Sequence, residues 1–201
     1  KAGECYDIEV KTGVDGVEVH LEIAAARFAA LKERRRNISG RTGCGLCGID
    51  SLAAVMPDIA PLERQNRLDA GEISQVLQRF DQALPLRNQT GALHAAAWVV
   101  EGEIRQVFED VGRHNALDKL LGYLAKNDVN RADGWMLVSS RASYEMVAKT
   151  AKLGIGILVA VSAPTALAVR LADAANLTLI GFARADGQTV YTHPEFLNVK
   201  S

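Results

Sequence analysis

The chain has 201 residues, 48% of them hydrophobic and 23% charged, with a formal net charge of −1. These values fit a folded protein of one domain or slightly more, and they exclude a disordered chain and a small fold held only by disulfides. The near-neutral charge predicts no general attraction to DNA, RNA or a membrane surface, and apolar runs such as residues 155–161 are too short to span a bilayer.

In chain order, residues 6–10 and 16–23 alternate apolar with polar side chains and predict two strands. Val17, Val19, Leu21 and Ile23 share one face, and Asp15-Gly16 is a hairpin signal. Residues 28–36 turn helical and end in Arg34-Arg35-Arg36; residues 37–50 read as an exposed, mobile, glycine-rich loop. Residues 52–69, with Pro57 and Pro61, show no clear period. Residues 72–84 predict the cleanest helix, with Ile73, Val76, Leu77, Phe80 and Leu84 at helical spacing, and Pro85 is expected to stop it. Residues 95–100 and 104–108 predict a second hairpin turning at Glu101-Gly102. Residues 115–124 predict a helix with Leu117, Leu120, Leu121 and Leu124 on one stripe.

The last third alternates strand and helix. A strand at 135–138 leads to a helix at 143–152 with Ser139, Ser140 or Ser143 as N-cap. A buried strand at 155–161 leads to a helix at 165–175 with Pro164 in its first position, and a strand at 177–182 follows. This order predicts an α/β fold with parallel strands and right-handed crossovers. Aromatics make up only 5% of the chain, so alanine and branched aliphatics are expected to fill the core.

The chemical centre is Arg41-Thr42-Gly43-Cys44-Gly45-Leu46-Cys47-Gly48. Two thiols at this spacing have four common uses. They supply half of a tetrahedral zinc site, but the other ligands would have to come from Cys5 and the scattered His20, His94, His114 and His193. They form thioredoxin-type dithiols, which open a helix after a strand and lack glycine on both sides. They also occur as small residues in a tight turn, although this loop is too polar for buried free cysteine. The fourth use is sulfur relay, in which a thiolate takes sulfur from a donor persulfide and passes it on. Arg34, Arg35, Arg36 and Arg41 lie just upstream, and guanidinium charge favours a thiolate. The same letters satisfy G-x-G-x-x-G, but the dinucleotide fingerprint must follow a hydrophobic strand, and here a basic, polar stretch precedes it. With only three cysteines, Cys5, Cys44 and Cys47, the chain suits a reducing compartment, the cytoplasm.

Thr42-Gly43-Cys44-Gly45-Leu46-Cys47-Gly48 resembles the signature of the formate dehydrogenase accessory sulfurtransferases, the FdhD family. Glu109-Asp110-Val111-Gly112-Arg113-His114-Asn115-Ala116-Leu117-Asp118-Lys119 is similar to that family's main internal motif. Ser139-Ser140-Arg141-Ala142-Ser143-Tyr144-Glu145-Met146-Val147 and Ala163-Pro164-Thr165, followed by Leu177 to Phe182, resemble two more. Ala92 and Ser140 depart from it, standing where glycine is usual.

The resemblance implies a sulfur carrier that is loaded by a cysteine desulfurase. The sulfur would go to the molybdenum bis(molybdopterin guanine dinucleotide) cofactor, bound as substrate, before the cofactor enters formate dehydrogenase. Cys44 would carry the persulfide with Cys47 as partner, and no metal is expected. The cofactor stretch falls on Phe182, Ala183, Arg184, Ala185, Asp186 and Gly187, and a GDP-like guanine nucleotide would fit the same site. Arg113 and His114 are implied as a wall of that site, against a plain turn with Asn115 as N-cap. The implied fold is a three-layer mixed sheet with helices on both faces, like cytidine deaminase, commonly a homodimer. Residues 71–201 would form that domain. Residues 1–70 would be the remainder of a smaller, truncated N-terminal β-containing domain bearing loop 37–50, since the chain opens at Lys1-Ala2-Gly3-Glu4 without the family's preceding segment.

The residues support an anion site on their own. Ligands of open α/β sheets bind beyond the carboxyl ends of parallel strands. Here those ends are Ser139-Ser140-Arg141-Ala142-Ser143, Ser162-Ala163-Pro164-Thr165 and Ala183-Arg184-Ala185-Asp186-Gly187. Arg141 and Arg184 suit phosphate, and Asp186 suits a guanine edge. Two other functions remain in view. A zinc deaminase needs H-x-E and P-C-x-x-C, but His94 is followed by Ala95-Ala96, His114 by Asn115-Ala116, and no proline precedes Cys44. A non-catalytic chaperone for the molybdenum cofactor would use the cysteines only to bind a partner.

Overall fold

The computed structural model describes residues 2–14, 16–36, 59–63 and 66–198. The chain divides into two compact units, residues 1–52 and 53–201, so that residues 53–70 stand with the second. In the first unit, strands β1 (Cys5–Gly13) and β2 (Gly16–Ile23) form the expected hairpin, followed by helix α1 (Ala25–Arg36). Gly13 pairs with Gly16, the last pair of the hairpin ladder. Ile8 faces Leu21 and Val10 faces Val19, which gives the hairpin one apolar side. Cys5 is a free, exposed thiol.

The second unit is built on a six-stranded mixed sheet in the order β5-β4-β6-β7-β8-β9. Strands β4 (His94–Val100) and β5 (Glu103–Asp110) form the predicted hairpin, with Glu101 at φ 51° and Gly102 at φ 71° in its turn. Two successive positive φ values are what a two-residue primed turn requires. Strands β6 (Gly134–Val138), β7 (Ile157–Ala160) and β8 (Thr178–Arg184) run parallel, and β4 runs antiparallel to β6. All residues of β6 and β7 are buried, as parallel strands covered on both faces must be.

Strand alternation sorts the core into two layers. Ala96 and Trp98 of β4 join Met136, Val138, Leu158 and Ala160 on one face. There they meet helices α4 (Arg113–Lys126), α5 (Tyr144–Lys152) and α6 (Ala166–Ala174) through Leu117, Leu120, Met146, Val147, Leu167 and Leu171. Ala95, Ala97, Val99, Leu137 and Val159 face the other way, onto Ile73, Val76 and Phe80 of α2 (Ala70–Phe80). The mixed sheet with helices on both faces is therefore present, and alanine contributes heavily to it, as the scarcity of aromatics requires.

Several expectations change. Helix α2 ends at Phe80, and after a 3-10 turn Pro85 opens a further helix, α3 (Pro85–Thr90), instead of ending one. Proline suits a first helical position, where its missing N–H is no loss. The two following N–H groups, of Leu86 and Arg87, donate to the Glu109 carboxylate at 3.1 and 2.7 Å. Pro164 lies outside α6: Thr165 is the N-cap, its hydroxyl accepting from Ala168 N–H, while Pro164 bridges Ala142. Gly112, not Asn115, is the N-cap of α4. Strand β9 (Gly187–Val190) and the two-residue pair β3 (Leu68–Asp69) and β10 (Leu197–Asn198) have no counterpart in the sequence reading.

Candidate functional site at the carboxyl edge of the sheet

Because β4 opposes β5 and β6, its amino end lies on the same edge as the carboxyl ends of β5, β6, β7 and β8. That edge gathers the sequence-predicted residues of the second unit. His94 opens β4 opposite Asp110, the last residue of β5. Gly112 then starts α4, making Arg113 and His114 its first two residues.

Much of the motif 109–119 builds this corner rather than facing a ligand. Glu109 caps α3, and Lys149 Nζ reaches both Asp118 oxygens at 2.7 Å, tying α5 to α4. Asp110 accepts from Gly112 N–H at 2.8 Å and Asn115 Nδ2 at 3.1 Å, and pairs with Lys119 Nζ at 2.7 Å. Lys119 first, then the Gly112 N–H and Asn115, hold its carboxyl at about 2, below the ordinary 3.8. A carboxylate whose folded pKa is depressed stabilises the fold fully above its ordinary pKa, and that stabilisation drains away as pH falls toward 2. Asp110→Asn should therefore lower Tm at pH 7 and flatten the loss of Tm between about pH 4 and pH 2. Thermal unfolding across that range checks this, and parallel wild-type and variant profiles would count against it.

Two imidazoles remain. Burial lowers the pKa of His94, and Arg113 and Arg87 lower it further. Burial also lowers that of His114, with Glu145 opposing and Arg113 and Lys149 assisting. In both rings burial favours the neutral form. His114 Nε2 lies 3.1 Å from Glu145 Oε2 and 3.5 Å from Ser143 Oγ. Ser143 is the N-cap of α5, but its hydroxyl makes no capping bond and meets His114 instead.

The β6 end is stitched to β4: Ser139 Oγ accepts from Ala95 N–H at 2.8 Å, and Ser139 N–H donates to Ala95 O. Ser140 is buried, donating to Arg141 O at 3.0 Å and toward Met146 Sδ, whereas Arg141 is exposed. At the end of β8, Phe182 has φ 50° and is 45% exposed. A bulky residue in the left-handed region carries strain on the order of 1 kcal/mol or more and needs its surroundings to hold it there. The surroundings are close. Phe182 N–H donates to Ser162 O at 3.3 Å, and a Cβ on Gly181 would lie 2.7 Å from Pro164 Cδ. The ladder is irregular between Gly181 and Arg184.

The stretch 182–187 is therefore a bulged hairpin, not a plain loop. Arg184 pairs with Gly187 across an Ala185-Asp186 turn, and all four are exposed. Ala183 is only 1% exposed and packs in the core, so the structure does not bear out its expected place as a ligand contact. The edge brings Arg113, His114, Ser140, Arg141 and the 182–187 hairpin to one side of the sheet. Cys44 and Cys47 lie outside the described residues. Ser143 lay in the predicted strand-end stretch and was an N-cap candidate, whereas Glu145 stood only within the family-like stretch 139–147 and was assigned no role there. Among the described residues no group of three or more His, Cys, Asp or Glu is placed to hold a metal ion, and no helix is long and apolar enough to cross a membrane. A small cleft lined by Arg67, Glu72, Glu101 and Asp133 opens at Gly134, the amino end of β6, on the edge opposite the candidate site.

Comparison with known proteins gives the following. The model of the FdhD/NarQ family matches residues 1–198. The chain is 54% identical to the sulfur carrier protein FdhD of Cupriavidus necator, covering 98% of this chain and 69% of that protein. It is 50% identical to the protein of the same name from Bordetella bronchiseptica and 48% to that from Xanthomonas campestris pv. campestris, covering 68% and 69% of those proteins. Its fold matches the crystal structure of a protein from Desulfotalea psychrophila, provisionally assigned as a formate dehydrogenase accessory protein. That match has a TM-score of 0.70 and 24% identity and covers 98% of this chain and 72% of the other.

Proposed function

We propose that this chain, which belongs to the FdhD/NarQ family, is a sulfur carrier serving formate dehydrogenase, with Cys44 as the carrying thiol. The observation that carries this reading is the Cys44-Gly45-Leu46-Cys47 dithiol in a chain 54% identical to a sulfur carrier protein. The donor is a cysteine desulfurase. The Cys44 thiolate attacks the outer sulfur of the donor's persulfide; the donor S–S bond breaks, and its electron pair leaves on the donor thiolate. No net electron moves in this step. In the second step the Cys47 thiolate attacks Cys44 Sγ. A Cys44–Cys47 disulfide forms and the outer sulfur leaves as hydrosulfide, having received the two electrons that the thiols gave up. A thiol reductant resets the disulfide.

The acceptor is the molybdenum bis(molybdopterin guanine dinucleotide) cofactor, bound as substrate in the cytoplasm. The carboxyl edge supports this. Arg113, Arg141 and Arg184 supply cationic groups for a diphosphate, and Phe182 offers an outward aromatic face for a flat ring. Asp186 at the hairpin turn suits the donor edge of guanine, which makes GDP a fitting probe. The same reading takes the mixed sheet as cytidine-deaminase-like and the protein as a homodimer.

Incubation with a cysteine desulfurase and cysteine, followed by mass spectrometry, tests the function. One added sulfur on the peptide containing Cys44 is expected, removable by a thiol reductant. An unmodified Cys44 peptide, beside a desulfurase shown to be loaded, would overturn it.

A further inference from the structure

Strand β8 changes step at Phe182. Before it the side chains alternate as a strand requires: Leu177 and Leu179 pack with α4, α5 and α6, and Ile180 packs with α2. Gly181 keeps that order, since a Cβ there would meet Pro164 and Tyr191, and Tyr191 packs on the side of α4, α5 and α6. The next position on the α2 side would be 182, yet Ala183 fills it. Gly181 pairs with Thr189 and Arg184 with Gly187, so Phe182 and Ala183 together oppose Gln188. One residue is extra, and the backbone turns at Phe182, where φ is 50°.

We propose that this bulge aims Arg184: the left-handed backbone of Phe182 turns the Arg184 side chain onto the face of the sheet that carries α4, α5 and α6, which makes Phe182 a positioning residue through its backbone as well as a contact through its ring. This rests on the nucleotide reading above, in which Arg184 meets the diphosphate, and adds to it what puts Arg184 there.

A one-residue step exchanges the faces of every residue beyond it. In an unbroken ladder Arg184 would follow Ile180 onto the α2 side. With the extra residue it stands opposite the buried Ala183, on the side where Arg113 begins α4 and Thr165 caps α6. The space beside it is open: a Cβ on Gly187, its partner across the ladder, would have nothing within 4 Å.

Glycine usually fills the first position of a bulge with positive φ, because it adopts that backbone freely. Phenylalanine is held there by its neighbours. Its N–H donates to Ser162 O at 3.3 Å, and Gly181 lies so close to Pro164 that an added Cβ would be 2.7 Å from Cδ. Pro164 is itself fixed by its bridge to Ala142, whose carbonyl takes the Thr165 N–H at 3.0 Å. The segments that follow β6 and β7 are thus linked in series to the end of β8, and this series bears the strain. A bulge gives up regular ladder pairing, and a bulky residue at positive φ adds strain; both are kept where they re-aim a side chain.

Substitutions at position 182 separate backbone from ring. Phe182→Asn and Phe182→Val both lose the ring, but asparagine enters the left-handed region readily and β-branched valine does not. Calorimetry of the whole chain with GDP reads the consequence. In wild type and in Phe182→Asn, adding Arg184→Ala should weaken binding by about tenfold or more, the loss of a charge-assisted hydrogen bond. Phe182→Val should already have lost that factor, and adding Arg184→Ala to it should change little. Deletion of Phe182, which restores the regular step, should behave as the valine variant does. Thermal unfolding reads the backbone without ligand: Phe182→Asn should melt above Phe182→Val, the reverse of their strand preferences. A purely structural role would lower the melting temperature of the valine variant and leave the Arg184→Ala effect intact. An Arg184→Ala effect as large in the valine and deletion backgrounds as in wild type, or a valine variant melting above the asparagine one, would overturn the aiming of Arg184 alone. Wild type that binds no GDP would overturn the nucleotide reading and this proposal with it.

Discussion

Cys44→Ser is expected to abolish sulfur loading outright, whereas Cys47→Ser should load normally and fail at release. Loading needs a nucleophile that is anionic near pH 7. A thiol reaches that state when cations stand near it, and a serine hydroxyl does not. The net charge of −1 hides such a setting, since residues 32–41 hold five basic side chains and one acidic one. Release asks something different. Hydrosulfide departs only if two electrons reach the outer sulfur, and Cys47 is the nearest thiol in sequence able to give them with Cys44. Without it the persulfide stays until an external thiol attacks. Mass spectrometry of the loaded variants, with hydrosulfide measured over time, separates the two roles. Formate dehydrogenase activation should be lost in both. A Cys44→Ser protein that still gains sulfur, or a Cys47→Ser protein that sheds it at the wild-type rate, would break this division of labour.

Where chemistry is local, the sequence was readable. The cysteine pair was singled out by its spacing and its glycine-rich, basic setting, and its residues lie outside the described structure. Strand β7 was readable because a four-residue run of buried aliphatics has few other uses, and the β4–β5 turn because Gly102 takes positive φ freely. Pro85 was misread for a physical reason: proline both ends helices and begins them, and the choice here is made by Glu109, which caps the next turn from a different strand. Pro164 fails likewise, because the Ala142 carbonyl takes the Thr165 N–H and fixes where α6 starts. Strands β3 and β10 pair Leu68 with Leu197, a contact that no local period encodes. At the site, Arg113, His114 and Glu145 all stood in quoted motifs, but the 3.1 Å contact of His114 with Glu145 exists only because α4 and α5 bring their first turns together. The strain at Phe182 was equally hidden, since a phenylalanine after Gly181 reads as an ordinary strand residue.

Gly134→Ala should lower stability by about 3 kcal/mol or more, whereas Gly122→Ala should raise it by about 0.5–1 kcal/mol. The two glycines look alike in sequence, each beside large apolar residues. Gly134 opens β6, where it is paired with Val100 of β4. A Cβ there would run into the backbone carbonyl oxygen of Val99 and come within 2.8 Å of Trp98 Cζ2 and 2.9 Å of Val100 Cγ2. The carbonyl belongs to a central strand, and Trp98 is buried in the core, so neither can retreat cheaply. Relief requires β6 to draw away from β4, which would also loosen Ser139 from Ala95 at the far end of the same pairing. Gly122 sits on the exposed side of α4 with nothing within 4 Å of the added carbon, so only the gain in helix propensity remains. For a domain of this size the Gly134 change corresponds to a Tm lower by roughly 10 °C, and the Gly122 change to a rise of roughly 2 °C. Thermal unfolding of both variants beside wild type decides the matter. A Gly134→Ala protein with wild-type Tm would mean that the β4–β6 spacing is looser than the contacts describe, and with it the scaffold beneath the whole carboxyl edge.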